Sequence, residues 1–249
     1  MFTVVKFKFS TEYFMLFARR TAAKFWPMDD TQTDDQAAKG WRGSREGWLD
    51  AAKVAFVESG LDAVKIQPLA ARLKLSRTSF YWFFKNREAL LDALLLDWEA
   101  KNTGAFVDAC TAYAETISEA VLNLIVVFHD LALFDPKLDF AVRGWAHKTD
   151  SVMQRVNSAD ERRLDAIRAM FQRFGFPAEE ADVRARTVYL TQIGYISMQV
   201  RENSGTRMSR VSEYVKTFCG TAPSASELAR FHSRLKFDPA LPIVKTRGA

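Results

Sequence analysis

The chain has 249 residues, 48% hydrophobic and 26% charged, enough apolar material for one small domain and one larger one. Its formal net charge is +5, but much of that surplus sits in the first segment at Lys6, Lys8, Arg19, Arg20 and Lys24, so overall charge is weak evidence for a polyanionic partner. Two cysteines, Cys110 and Cys219, stand without cysteine or paired histidine neighbours, which argues against a disulfide scaffold or metal centre and for buried free thiols in a reducing cytosol; no apolar run approaches bilayer length, and the expectation is a cytoplasmic, all-α protein without cofactor.

Residues 1–40 read as an N-terminal extension. The stretch MFTVVKFKFSTEYFMLFARRTAAKFWPMDD is apolar and basic, yet Lys6, Lys8 and Glu12 interrupt any signal-peptide core. It suits an amphipathic arm, a basic arm touching DNA, or translated upstream sequence with the true start at Met28. The last reading fits best with the polar run DDTQTDDQAAKG that follows.

Residues 41–90 read as three helices and the start of a fourth. In REGWLDAAKVAFVESG, Trp48, Leu49, Ala52 and Phe56 recur at helical spacing, Ser44 suits the N-cap and Gly60 the left-handed end. The next stretch, QPLAARLKLSRTSFYWFFKNR, reads as a short helix, a tight turn and a second helix from Arg77 to about Lys85, capped by Ser76. Phe80 and Phe84 share the core face, with Leu73 and Leu75 preceding them. From Ala63 to Arg87 every charged residue is basic, and a helix pair of one sign suits a DNA duplex. Arg77 suits a forked contact to guanine, and Thr78 and Ser79 are small enough to approach base edges. Tyr81, Trp82 and Lys85 suit phosphates, although Trp82 and Phe83 also suit ordinary packing. A further helix is expected from Asn86 through Asn102, capped by Asn86, with Arg87 at a phosphate.

These residues together resemble the DNA-binding domain of the tetracycline-repressor (TetR) family of transcription regulators. The resemblance covers about Arg45 to Leu95 and rests on Leu49, Ala52, Phe56 and Gly60, then Leu69-Ala70, Leu75-Ser76, Phe80-Tyr81, Phe84, Arg87-Glu88 and Leu90-Leu91. Lys74 stands where the family usually has a turn glycine, which implies a left-handed lysine costing about 1 kcal/mol or a slightly different turn. Lys65 stands where the family usually has a capping threonine, so that Gln67 and Pro68 supply another helix start. The implied DNA-contacting set is Gln67, Ser76, Arg77, Thr78, Ser79, Tyr81, Trp82, Lys85 and Arg87.

Residues 91–235 read as a helical effector-binding and dimerisation part. The apolar stretch from Ala105 to Phe134 breaks at Asp135-Pro136. Ser158-x-x-Glu161 reads as a capping box opening a helix that ends at Gly175, with Leu164, Ile167, Phe171 and Phe174 on one side. A helix of roughly 178–202 is apolar nearly all round in its second half, and Gly194 inside it asks for a close backbone neighbour. The resemblance implies a four-helix dimer interface, assigned to the helices at 158–174 and 178–202 through Ile167, Phe171, Phe174, Tyr189, Ile193, Ile196 and Val200. An effector cavity is expected among Phe128, His129, Phe134, Phe140, Trp145 and His147, with Tyr189, Tyr195 and Met198. Helices at 209–219 and 224–235 close the part, the second opened by a Ser224-x-x-Glu227 box, and the tail 236–249 reads as irregular.

The expected function is a dimeric, sequence-specific transcription regulator, a repressor rather than an activator. Its partners would be a palindromic double-stranded operator, itself as homodimer and a small-molecule effector, with no membrane. An enzyme is not expected, because His129, His147 and His232 form no metal pair and no Glu-x-x-His pairs, phosphate loop or G-x-S-x-G elbow occur. The alternative is an all-helical protein-interaction or small-molecule-binding protein without DNA binding.

Overall fold

A computed structural model describes residues 43–238, and among them every regular element is helical. The expectations for residues 1–40 and for the tail beyond Asp238 lie outside the described residues. Helix α1 (Arg45–Ser59) begins where Gly47 N donates to Ser44 Oγ at 2.9 Å, and stops at Gly60, whose φ of 81° suits a residue without Cβ. A single 3-10 turn (Leu61–Ala63) leads to α2 (Ile66–Leu73). Lys65 precedes α2 and gives it no side-chain cap. The turn that follows holds Lys74 left-handed, at φ 57° and ψ 36°.

The next helix is shorter than the sequence predicts. Helix α3 spans Arg77–Phe80, and beyond it Tyr81, Trp82 and Phe83 donate to the carbonyls three residues back at 3.2, 3.3 and 3.0 Å. The chain tightens there because Asn86 must be extended to cap α4 (Arg87–Trp98), where it accepts the Ala89 amide at 2.9 Å. A π-helical turn (Glu99–Thr103) joins α4 to α5 (Gly104–Thr111) and swings Asn102 and Thr103 into the interior.

Downstream, α6 (Ile117–His129) is capped by Thr116, and α7 (Pro136–Ala146) by Asp135 with proline in its first turn. The expected capping box at Ser158 is a correction: both Ser158 and Glu161 lie inside one helix, α8 (Asp150–Arg173). The apolar spacing before Ser158 continues in register through Val152, Val156 and Ala159, so the helix has no reason to restart. Gly175, at φ 88°, ends it. Helix α9 (Ala178–Ser197) stops five residues short of expectation, with Gln199 left-handed just after it. Helices α10 (Ser204–Met208), α11 (Val211–Cys219) and α12 (Ala225–Arg234) follow, and the Ser224–Glu227 box opens α12.

Two cores hold these helices. The first joins α1–α4 through Trp48, Phe56, Phe80, Leu90 and Trp98, then continues across α7 and the first half of α8 through Leu138, Val142 and Val156. The second joins α5, α6, the rest of α8, α9, α11 and α12 around Phe106, Val121, Ile167, Phe171 and Phe218. The boundary expected at residue 90 therefore separates no two cores, because α4 packs with the helices on both sides of it. Both cysteines are free and buried. Among the described residues no helix is long and apolar enough to cross a membrane.

Candidate nucleic-acid interface and adjoining cavity

The α2-turn-α3 unit is fixed from below by aromatic packing. Phe80 is fully buried, edge-on to Trp48 at 5.3 Å and stacked on Phe84 at 5.5 Å. A helix anchored on that face turns its opposite side to solvent. Arg77, Thr78 and Lys85 are exposed, with Tyr81 at 48% and Trp82 at 63%. Arg77 Nη2 donates to Tyr81 Oη at 3.3 Å, one turn away, so the two lie along one outward ridge. Lys65, Gln67, Lys74 and Ser76 are exposed around it. Arg72 is set apart by its ion pair with Glu58 at 2.8 Å.

Two residues of the expected contact set point elsewhere. Ser79 is buried and its hydroxyl donates back to the Ser76 carbonyl at 2.7 Å, so it cannot approach a base edge. It lies next to Phe80 on the inward side of a one-turn helix, where spacing alone does not separate the faces. Arg87 turns inward as well, donating from Nε to the Val64 carbonyl at 2.6 Å and from Nη2 to the Leu61 carbonyl at 2.9 Å. It ties the start of α4 to the segment between α1 and α2. Nothing in the sequence pattern signals that pairing across 23 and 26 positions.

Beside this unit lies a cavity of about 820 Å³, between the end of α1, helix α7 and the stretch from the end of α9 to Arg207. Its apolar wall is Phe56, Phe128, Phe134, Phe140, Trp145 and Tyr195. Lys137, Lys148, Arg201 and Arg207 also line it, against the single carboxylate of Glu58, which faces Arg72. Phe128, Phe134, Phe140, Trp145 and Tyr195 come from the expected set, whereas His129, His147, Tyr189 and Met198 are corrections. His147 is exposed beyond the end of α7, Met198 is exposed outside the cavity, and His129 is partly buried and does not line it. Burial first, and then the Arg207 charge, lower the His129 pKa to about 4. Tyr189 is buried in a polar network, its hydroxyl donating to Asp160 at 2.6 Å.

The expected dimer residues also divide. Ile167, Phe171 and Tyr189 are buried within the chain, because the apolar stripe of α8 closes on the second core. Phe174, Ile193 and Ile196 are half-buried against that core, and Val200 lies past the end of α9 at the cavity. The outward face of α9 instead carries Val183 at 64% and Leu190 at 58% exposure. A Cβ at Gly194 would meet no atom within 4 Å, so nothing among the described residues uses the close approach that glycine permits.

A helix-turn-helix head with an outward aromatic and basic ridge, set on an all-helical body, defines a class of DNA-binding regulator folds. Residues 49–94 match the model of the bacterial regulatory proteins, tetR family. The tetracycline repressor protein class D of Escherichia coli is 38% identical over 59 residues, which are 24% of this chain and 27% of that relative. The chain thus spans about a quarter of the length of the curated relatives it matches. The fold matches AmtR of Mycobacterium smegmatis with a TM-score of 0.56 and 20% identity, over 79% of this chain and 96% of that one. It matches GusR of Salmonella enterica with a TM-score of 0.51 and 16% identity, over 77% and 95% of the two chains. Residues 49–94 are thus similar to the tetR family of bacterial regulatory proteins, and the fold of the longer chain is shared with AmtR and GusR.

Proposed function

We propose that the protein is a dimeric, sequence-specific DNA-binding transcription regulator, a repressor whose hold on its operator responds to a small molecule. One observation carries the reading: Arg77, Thr78, Tyr81, Trp82 and Lys85 stand in solvent on a ridge whose underside is locked by Phe80 and Phe84. Folding gives no reason to expose Tyr and Trp beside Arg and Lys, whereas a major groove does. Arg77 and Thr78 read base edges; Tyr81, Trp82 and Lys85 hold the backbone. Two curated relatives named as tetracycline repressor proteins are 38% identical over 59 residues, which favours repression.

One such ridge reads few base pairs, and two held about one DNA turn apart read a palindrome. The exposed Val183–Leu190 face of α9, with the open Gly194 at its end, is the surface suited to a second copy. The cavity touches α1 through Phe56 and the turn after it through Leu61, so a ligand there acts directly on the head that carries the ridge. A gel shift on DNA upstream of the protein's own gene tests the reading. Retardation that resists nonspecific competitor, with two chains per duplex, is expected; retardation no stronger than on random DNA would contradict it.

A further inference from the structure

We infer that the cavity beside α1 takes an amphipathic organic anion: an apolar, ring-bearing body seated among the aromatic side chains, with its acidic group at the rim formed by Lys137, Lys148, Arg201 and Arg207. The inference deepens the effector reading above, and it rests on charge and shape. Six aromatic rings wall about 820 Å³, a volume that holds a drug-sized molecule. Four cations face that space and one carboxylate does, and Glu58 is engaged by Arg72 at 2.8 Å. Lys137, Lys148 and Arg201 are exposed at the mouth, where an acid group keeps part of its hydration.

Arg207 stands deeper. Its guanidinium lies 4.3 Å from the Tyr195 ring centroid, and Nη2 reaches Gln192 Oε1 at 3.4 Å. Stacking and amide contact hold that charge at the cavity wall. The field reaches beyond the cavity, since the Arg207 charge is one cause of the low pKa of nearby His129, after burial. A neutral or cationic amphiphile would gain the apolar wall but not the rim, so the cations select the sign of the ligand.

The body of such a ligand meets Phe56, Gly60 and Leu61, where α1 ends. Phe56 is edge-on to Trp145 of α7 at 5.8 Å, and the Leu61 carbonyl accepts from Arg87. Occupancy is therefore felt by the segment that orients α2 and α3, without passing through the rest of the body.

Two fluorescent probes that share one skeleton test the ligand class: anilinonaphthalene sulfonate, which is anionic, and phenylnaphthylamine, which lacks the sulfonate. The full-length protein is expected to bind the sulfonate about tenfold more tightly at low salt. Replacing the three exposed rim cations together (Lys137→Gln, Lys148→Gln, Arg201→Gln) should cut that preference severalfold, with Arg207 left in place, and leave the neutral probe unchanged. Phe140→Glu should weaken both probes. Equal binding of the two probes, or a preference that the triple replacement leaves undiminished, overturns the inference. So does a change in oligomeric state, rather than in probe binding, for the Phe140 variant, because the occupant would then be a second copy. The effector reading fails separately, if the sulfonate binds with the expected preference yet leaves the gel shift unaltered.

Discussion

Arg163 Nη1 and Asp139 Oδ1 meet at 3.3 Å with neither side chain exposed to solvent. Around them the polar groups of five segments converge. Asp139 accepts from Trp98 Nε1 at 2.9 Å and from Arg143 Nε at 2.8 Å, and Arg163 donates to Thr103 at 3.0 Å and to Tyr189 at 3.0 Å. Arg143 also holds Asp160 through two bonds of 2.8 and 2.7 Å. The end of α4, the π-helical turn, α7, α8 and α9 are thus joined by charge, and the two cores meet there. Burial alone would raise the Asp139 pKa; the Arg163 and Arg143 charges outweigh it and hold the carboxyl below its usual value.

Removing one partner leaves the other charge buried and unpaired. Asp139→Ala is expected to cost about 3–5 kcal/mol, read from urea unfolding. Because the folded pKa is depressed, the carboxylate contributes stability above about pH 4 and loses it as pH falls through the folded value. The Asp139→Asn protein should therefore lose less stability than the parent on acidification below pH 4.

His129 predicts a second pH effect in a different window. Its folded pKa is lowered to about 4, so between pH 6.5 and 4 the unfolded chain takes a proton that the folded one refuses. Stability should fall as pH falls across that window, by about 2 kcal/mol for this group. His129→Asn should flatten the thermal midpoint between pH 6.5 and 4, and an unchanged slope would contradict the assignment.

Lys74 holds φ 57° without the freedom of glycine. Lys74→Gly should raise stability by about 0.5–1 kcal/mol, since relief of left-handed strain exceeds the added chain entropy. Equilibrium unfolding measures it, and a destabilised variant would mean that the lysine side chain contributes more than its backbone strain costs.

The helix-turn-helix was legible because its signals are local. Ser44, Ser76 and Asn86 cap the helices that follow them, and the Phe80–Phe84 spacing fixes one face. The interior ion network was not legible. Asp139 and Arg143 sit four apart and Asp160 and Arg163 three apart, the spacing of ordinary solvent-facing helix pairs, and only tertiary packing buries them. The same limit sent Ile167, Phe171 and Tyr189 to a partner subunit, when helices within the chain cover them. Arg87 read as a phosphate contact because its carbonyl acceptors, Leu61 and Val64, are brought to it by the fold.

With those residues inside, the outward face of α9 is the surface we propose for self-association. Leu190→Asp, exposed and outside both cores, should leave the fold intact and shift the protein from dimer to monomer in sedimentation. The same variant should lose at least about tenfold in operator affinity, because each head would bind alone.

The most direct measurement is fluorescence anisotropy of a labelled duplex from the region upstream of the protein's own gene, titrated at two salt concentrations. The account predicts that Arg77→Ala and Tyr81→Ala each lower affinity about tenfold or more without moving the thermal midpoint, and that binding weakens steeply with salt. Binding that both variants retain in full, or that salt leaves unchanged, would show that the exposed ridge of α3 does not hold DNA.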